Sequence, residues 1–322
     1  MDIAISVLIL LMSLFFIVKG GDYFVDASST IAKKLKIPQL IVGATFVSLA
    51  TTLPELIIAI ISSLDGTTGL AVGNSVGSAL CNIGLTCGIA FLVCPSDINK
   101  GGTLKYYLVI FVAILLFVFS LWFNIFLWQA FVLIACAILF FVFNFLDAKK
   151  DAPDKTEQTQ TEQTNPVWLT LILFVIGALG VGGGAYMLVE EVTFLSEKIG
   201  ISEQFVGLTL VAVGTSLPEL TTTITSIKKK KPYLAIGNII GSNIINLTLI
   251  LGVTRITAWN NGLPISKETA FVSLPLMIVL TLLLVLPILI KKKSFRWQGI
   301  CFIFLYVLYI GYLITTTLMS SV

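Results

Sequence analysis

The chain has 322 residues, 57% of them hydrophobic and only 11% charged, with a net charge of +3 and a mean hydropathy of +1.01. Soluble domains carry about 25% charge, so a water-soluble globule of this composition is excluded. There is no histidine, which removes His-based zinc sites, Ser-His hydrolases and imidazole proton relays together. The five cysteines, Cys81, Cys87, Cys94, Cys136 and Cys301, lie in or beside apolar stretches without metal-ligand spacing and read as buried thiols.

In chain order the apolar runs predict ten membrane spans, at 3–21, 39–62, 69–94, 104–123, 125–146, 167–190, 203–227, 232–256, 269–290 and 297–319. Each matches the roughly 20 residues that cross a hydrocarbon core of about 30 Å. The first run carries Asp2 and no Lys or Arg before its apolar stretch, so it reads as an uncleaved span. The segment 147–166 is polar, charged and rich in Gln and Thr, and reads as a linker between two halves, 1–146 and 167–322. Alternating sides along the chain puts seventeen of the 20 Lys and Arg residues on one face, among them Lys33, Lys34, Lys36 and the run Lys228 to Lys231. By the positive-inside rule that face is cytoplasmic. The linker is then cytoplasmic and both termini are extracytoplasmic. Asp22, Asp26, Glu190 and Glu191 fall at predicted span ends, where solvated charges are expected.

The two halves are copies. Segments 37–56 (IPQLIVGATFVSLATTLPEL) and 201–220 (ISEQFVGLTLVAVGTSLPEL) are identical at ten of twenty positions, at an offset of 164. Segments 71–85 (AVGNSVGSALCNIGL) and 235–249 (AIGNIIGSNIINLTL) are identical at seven of fifteen, at the same offset. Five spans per copy is an odd number, so the second copy should lie inverted in the membrane. Inverted repeats mark secondary transporters with a site near the midplane. The fold class expected is therefore an all-α membrane protein of ten transmembrane helices in two inverted five-helix repeats.

The repeated motifs place chemistry inside apolar spans. Thr51-Thr52-Leu53-Pro54-Glu55 and Thr215-Ser216-Leu217-Pro218-Glu219 each join a carboxylate to two hydroxyls. Pro54 and Pro218 have no N–H, so the carbonyls of Ala50 and Gly214 lose their helical donors. An ionised carboxylate at the bilayer centre costs roughly 2.5–3.5 kcal/mol even on a lenient scale. Two of them at symmetric positions call for a cation. In the second motif, Asn74, Ser78 and Asn82, with their counterparts Asn238, Ser242 and Asn246, are spaced by four and form polar stripes. They line an ion path or hold helices together by hydrogen bonds. All these ligands are oxygens, which suits hard cations such as Ca²⁺, Na⁺ or Mg²⁺, and two glutamates neutralise one Ca²⁺. The same oxygens holding Na⁺ or protons when Ca²⁺ is absent is the simplest physical basis for antiport.

These paired motifs resemble the alpha-repeats of the calcium:cation antiporter superfamily, with closest likeness to prokaryotic sodium/calcium exchangers. The likeness covers nearly the whole chain. It implies four adjacent cation sites among the second, third, seventh and eighth spans. It implies Ca²⁺ on Glu55 and Glu219 with the carbonyls of Thr51 and Thr215, and Asn82 and Asn246 at the middle site. It implies Na⁺ on Thr52, Ser216, Ser78 and Ser242, with the carbonyls of Ser48 and Ala212, while the first and sixth spans slide across the core. Three positions depart from the family pattern. Ala50 replaces a usual Gly, Ala79 stands where the second copy has Asn243, and Asn246 sits where some exchangers carry Asp. H⁺/Ca²⁺ or K⁺-dependent exchange are the alternatives within the class, and an ion channel is the alternative outside it. No enzymatic activity, cofactor or nucleic-acid partner is expected. The partners are the transported Ca²⁺ and Na⁺ and the bilayer of the cell membrane.

Overall fold

The computed structural model describes residues 3–95, 124–147, 166–198, 212–258 and 263–320. The predicted fourth span, nearly all of the linker and the first part of the seventh span lie outside these. The described chain is helical throughout: α1 (Ile3–Leu35), α2 (Gln39–Thr51), α3 (Leu53–Leu64), α4 (Thr68–Val93), α5 (Leu127–Asp147), α6 (Val167–Lys198), α7 (Ala212–Thr215), α8 (Leu217–Lys228), α9 (Pro232–Thr257), α10 (Thr269–Lys291) and α11 (Arg296–Ser320). Seven of these helices are long and apolar enough to cross a membrane, or eight if α2 and α3 count as one span bent by 43°.

Burial sorts the helices into a centre and a surround. The most apolar stretch of α9 is 89% buried and that of α4 72%, against 28% for α1 and 22% each for α6 and α11. The outer helices expose Leu11, Phe15, Leu179, Phe304 and Val307, side chains suited to lipid tails. The central α9 is apolar and polar by turns yet almost wholly enclosed, because Gly237 and Gly241 let α2 cross it at backbone contact. A Cβ added at Gly237 would stand 2.3 Å from the Leu40 carbonyl oxygen, and one at Gly43 2.4 Å from that of Leu234. Only glycine tolerates such an approach.

α1 runs 33 residues, well past its predicted end at residue 21, and α6 runs 32. Hydropathy drops at Lys19-Gly20-Gly21-Asp22, but the helix continues because these small residues are contact points. Gly177 of α6 lies against Phe24, Gly180 against Gly20, and Gly184 against Ser13 and Ile17. Rising numbers in α6 meet falling numbers in α1, so the two helices run antiparallel along their length. Asp22 and Asp26 therefore sit inside α1 rather than at its end, where they pair with Lys229 (3.1 and 2.7 Å), and Asp26 also with Lys231 (3.1 Å). Glu190 stays exposed and accepts a hydrogen bond from Tyr186, whereas Glu191 is buried, unlike the solvated end charge expected there.

Backbone details recur at the offset of 164. α3 and α8 both span 12 residues, and the linking residues Thr52 and Ser216 have φ, ψ of −89°, 2° and −88°, 1°. Pro54 and Pro218 stand in the first turn of the following helix, where a missing N–H is harmless. Gly66 and Lys230, also 164 apart, both take left-handed φ, 81° and 58°. π-helical turns interrupt α4 at Asn82–Cys87 and α9 at Asn246–Ile250. Ser63 near the end of α3 hydrogen-bonds Thr257 at the end of α9. The α3 end and the α9 end therefore share one face of the molecule, opposite the face of Lys229 and Asp26.

Candidate metal-binding site

Glu55 and Glu219 are the third residues of α3 and α8, and both are completely buried. A carboxylate in the first helical turn sits at the positive end of the helix dipole. The two short helices thus offer an electrostatic reason for holding glutamates without cationic neighbours. Among the described residues neither glutamate has a Lys or Arg partner.

The motif threonines knit the two halves together. Thr51 Oγ1 donates to Asn238 Oδ1 at 3.2 Å, and Thr215 Oγ1 donates to Asn74 Oδ1 at 3.3 Å. Thr51 Oγ1 lies 3.4 Å from Ser242 Oγ, and Thr215 Oγ1 lies 3.4 Å from Ser78 Oγ. Ser242 Oγ in turn reaches Glu219 Oε1 at 3.4 Å, while Ser78 lies beside Glu55. Glu55 and Glu219 are close enough to feel each other's charge. The threonine contacts cross from one half to the other, while Ser78 with Glu55 and Ser242 with Glu219 each stay within one half.

Several oxygen atoms of the two repeated motifs are left without partners. Both carboxylate oxygens of Glu55, Oε2 of Glu219, Oδ1 of Asn82, Oδ1 of Asn246 and Oγ of Ser216 are buried and have no hydrogen-bond partner among the described residues. Leaving one buried polar atom unpaired costs about 1–3 kcal/mol, more for a charged one. A hard cation is the species whose coordination a cluster of oxygens from two carboxylates, two amides and a hydroxyl satisfies at once. Among the described residues no group of three or more His, Cys, Asp and Glu side chains comes together. The negative charge of the site therefore rests on Glu55 and Glu219.

Sequence-predicted residues fall into two groups here. Glu55, Glu219, Thr51, Thr215, Ser78 and Ser242 are brought together, while Asn82, Asn246 and Ser216 are buried with unpaired side-chain oxygens. Thr52 donates its hydroxyl to the Ser48 carbonyl at 2.8 Å, keeping its oxygen lone pairs free. That same carbonyl also accepts the Thr51 hydroxyl (3.2 Å) and the Thr52 N–H (3.0 Å), so it is engaged within its own helix. Ala212 opens α7. Cys81 is a buried thiol, as its apolar surroundings in the sequence imply, and it lies against Ser216 and Tyr306. Its counterpart at the repeat offset is Ile245.

Comparison with known proteins agrees with this architecture. The family model described as sodium/calcium exchanger protein matches residues 5–146 and 169–315, in two blocks that leave out the linker. The sodium/calcium exchanger MaX1 of Methanosarcina acetivorans is 32% identical over 96% of this chain and 98% of its own. The inner membrane protein YrbG of Escherichia coli is 33% identical over 76% of this chain and 78% of its own. The structure superposes on the sodium-calcium exchanger NCX_Mj with a TM-score of 0.84 and 29% identity, covering 96% of this chain and 99% of that one. NCX_Mj has been solved from crystals soaked in Na⁺ together with Ca²⁺ or Sr²⁺.

Proposed function

The chain belongs to the sodium/calcium exchanger family, and on that premise we propose that it exchanges Ca²⁺ for Na⁺ across the cell membrane at a single site built around Glu55 and Glu219. The observation that carries the reading is the pair of fully buried glutamates, each at a break between two helices, with unpaired oxygens from both halves between them. Ca²⁺ sits between the two carboxylates, whose combined charge neutralises it, with the carbonyls of Thr51 and Thr215 completing its shell. Na⁺ ions occupy flanking positions lined by Thr52, Ser216, Ser78 and Ser242 with carbonyls of Ser48 and Ala212, and Asn82 and Asn246 flank the middle position. Recruiting the Ser48 carbonyl requires the Thr51 and Thr52 hydroxyls to turn away from it, so Na⁺ occupancy is coupled to a rotamer change at the α2–α3 break.

Antiport follows from charge. Ca²⁺ and a set of Na⁺ ions compete for the same two carboxylates, and neither the empty nor the doubly loaded site is neutral. An unneutralised pair of buried carboxylates is costly in the low-dielectric interior, so the passage of the core between faces is favoured only when one ion type is aboard. The two halves act as inverted five-helix repeats in a ten-span membrane domain, with 147–166 a cytoplasmic linker. The antiparallel α1–α6 pair, joined through small residues, moves as a unit across the central helices.

The test is uptake of radioactive Ca²⁺ by vesicles containing the purified protein. Uptake driven by an outward Na⁺ gradient, saturable and blind to a pH gradient, is expected. Flux that follows pH and ignores Na⁺ makes the coupling ion H⁺. Flux that needs internal K⁺ adds that ion to the cycle, and flux needing no counter-ion makes the protein a channel.

A further inference from the structure

The repeat is chemically lopsided on the two sides of the site, and this bears on how ions reach it. Toward the face where α3 and α9 end, the positions one turn beyond Glu55 on α3 and beyond Asn246 on α9 are apolar. Ala59 of α3 packs with Ile245 and Ile250 of α9 in a small buried cluster fringed by Leu56, Phe141 and Leu249. At the offset of 164, the positions equivalent to Ala59, Ile245 and Ile250 are Thr223, Cys81 and Thr86. They lie toward the opposite face, where α8 ends at Lys228 and packs against the second half of α4.

These polar side chains are fully buried, and the hydroxyl oxygens of Thr86, Thr223 and Ser226 have no hydrogen-bond partner among the described residues. Their direction follows from their neighbours. Thr221 and Thr225 meet Gly21 of α1, where an added Cβ would come within 3.0 and 3.2 Å of them. Thr223, two residues from each, is turned away from α1. Likewise Gly84 and Gly88 face α11, at Tyr306 and Ile303, and Thr86 between them is turned away from it. Thr223 therefore lies on the Glu219 face of α8 and Thr86 on the Asn82 face of α4, four residues on in each case, and α8 packs against that half of α4. Ser226 continues the line, one turn before Lys229 and about 10 Å along the helix from Glu219; its counterpart is the buried Ser62, so the two routes differ at Thr86 and Thr223 and not at their outer serines.

We propose that Thr86, Thr223 and Ser226 form a file of hydroxyl oxygens that carries a partly dehydrated cation between the glutamate centre and the lysine-bearing face, while Ala59, Ile245 and Ile250 seal the equivalent route on the other face. The inference rests on the exchange reading above. Hydroxyls at these points replace the water oxygens a Na⁺ or Ca²⁺ ion sheds on entering a narrow passage, without the charge that would trap it. Irregular polar lining at membrane depth is stable only around such a cavity or within protein. Ala59 and Ile250, which replace Thr223 and Thr86, offer no such oxygens, so opening that face inward of Ser62 requires the helices to part, whereas the lysine face needs only a widening of an already polar seam.

The experiment pairs transport with binding. In Thr86→Val with Thr223→Val the side-chain shapes persist and the hydroxyls go. Na⁺-driven Ca²⁺ uptake in vesicles is expected to slow by about tenfold or more, while Ca²⁺ affinity of the detergent-solubilised protein, measured by calorimetry at equilibrium, stays within about twofold. The matching pair Thr86→Ser with Thr223→Ser should transport at the wild-type rate. A Val pair that transports like wild type overturns the inference, and so does an affinity loss in step with the rate, which makes the hydroxyls part of the central site. If the Val pair does not elute as a single folded species, Thr223→Val alone is judged by the same two readouts. Wild-type vesicles that ignore the Na⁺ gradient overturn the exchange reading itself. Wild-type exchange matched by the Val variant overturns the hydroxyl file alone.

Discussion

Thr51 shares its hydroxyl hydrogen between Asn238 Oδ1, across 187 positions of sequence at 3.2 Å, and the Ser48 carbonyl of its own helix, also at 3.2 Å. The reciprocal bond from Thr215 to Asn74, at 3.3 Å, repeats it with the halves exchanged. Each bond ties a residue beside one glutamate to the helix that faces it from the other copy. The polar stripe of the second motif thus has both roles its sequence left open: Asn74 and Asn238 hold helices together through their oxygens, while Asn82 and Asn246 keep theirs unpaired.

Removing one of these cross-bonds loosens the site without touching its charge. Asn238→Ala removes one of the two acceptors the Thr51 hydroxyl shares, the other being the Ser48 carbonyl at 3.2 Å, and should lower stability by about 0.5–1.5 kcal/mol, the net worth of one hydrogen bond. Thr51→Ala in the same background should then add little. A double-mutant cycle on thermal unfolding in detergent checks this, and full additivity of the two losses would show that the bond carries no energy.

Glu55→Gln and Glu219→Gln each halve the charge available to a divalent ion while preserving side-chain shape. A change in a residue that merely supports a metal ligand costs about 10–100-fold in affinity, so a direct ligand should lose more, and exchange should fall to about 1% of wild type or less. Both proteins should still elute as folded species, because a neutral amide is cheaper to bury than a carboxylate. Ca²⁺ transport near wild-type rates by both variants would sink the site assignment.

Asn246→Asp adds a third carboxylate to a site that now has two. With Ca²⁺ bound the site would carry one excess negative charge, which a further Na⁺ or a proton must offset. Exchange by this variant should therefore become dependent on pH between about 5 and 8, falling as protons occupy the new carboxylate and compete with the cation. The check is initial Ca²⁺ uptake across that range for wild type and variant in parallel. Identical profiles would place Asn246 away from the ions.

Gly237→Val places a branched side chain where even a Cβ would stand 2.3 Å from the Leu40 carbonyl. The backbone of α2 has no flexible side chain there to yield, so the helices must separate. Loss of more than the usual overpacking penalty of about 1–3 kcal/mol is expected, seen as a lower unfolding temperature or failure to express. By contrast Lys229→Ala breaks ion pairs whose aspartates are 43% and 60% exposed, and the change in stability should stay below about 1 kcal/mol.

Much of the fold was legible before any coordinates. Hydropathy marked the spans because lipid admits only helices whose backbone bonds are internal. It placed the end of α1 fourteen residues short, because Gly20, Gly21 and Asp22 read as a loop while their real partners are Gly177, Gly180 and Lys229, far off in sequence. The two glutamates were legible because a charge inside an apolar run stands out, and doubly so when repeated.

What the sequence by itself determined is the all-helical, membrane-spanning class, the duplication at an offset of 164 and the identity of Glu55 and Glu219 as buried charges, since hydropathy, identity and composition are properties of the chain as written. Which oxygens stay unpaired at the centre was decided only by tertiary structure. Asn74 and Asn82 have the same amide and the same spacing along one helix, yet the oxygen of one is taken by Thr215 and that of the other is not. A hydrogen bond needs its partner within about 3.5 Å, and only the packing of one half against the other brings that partner near.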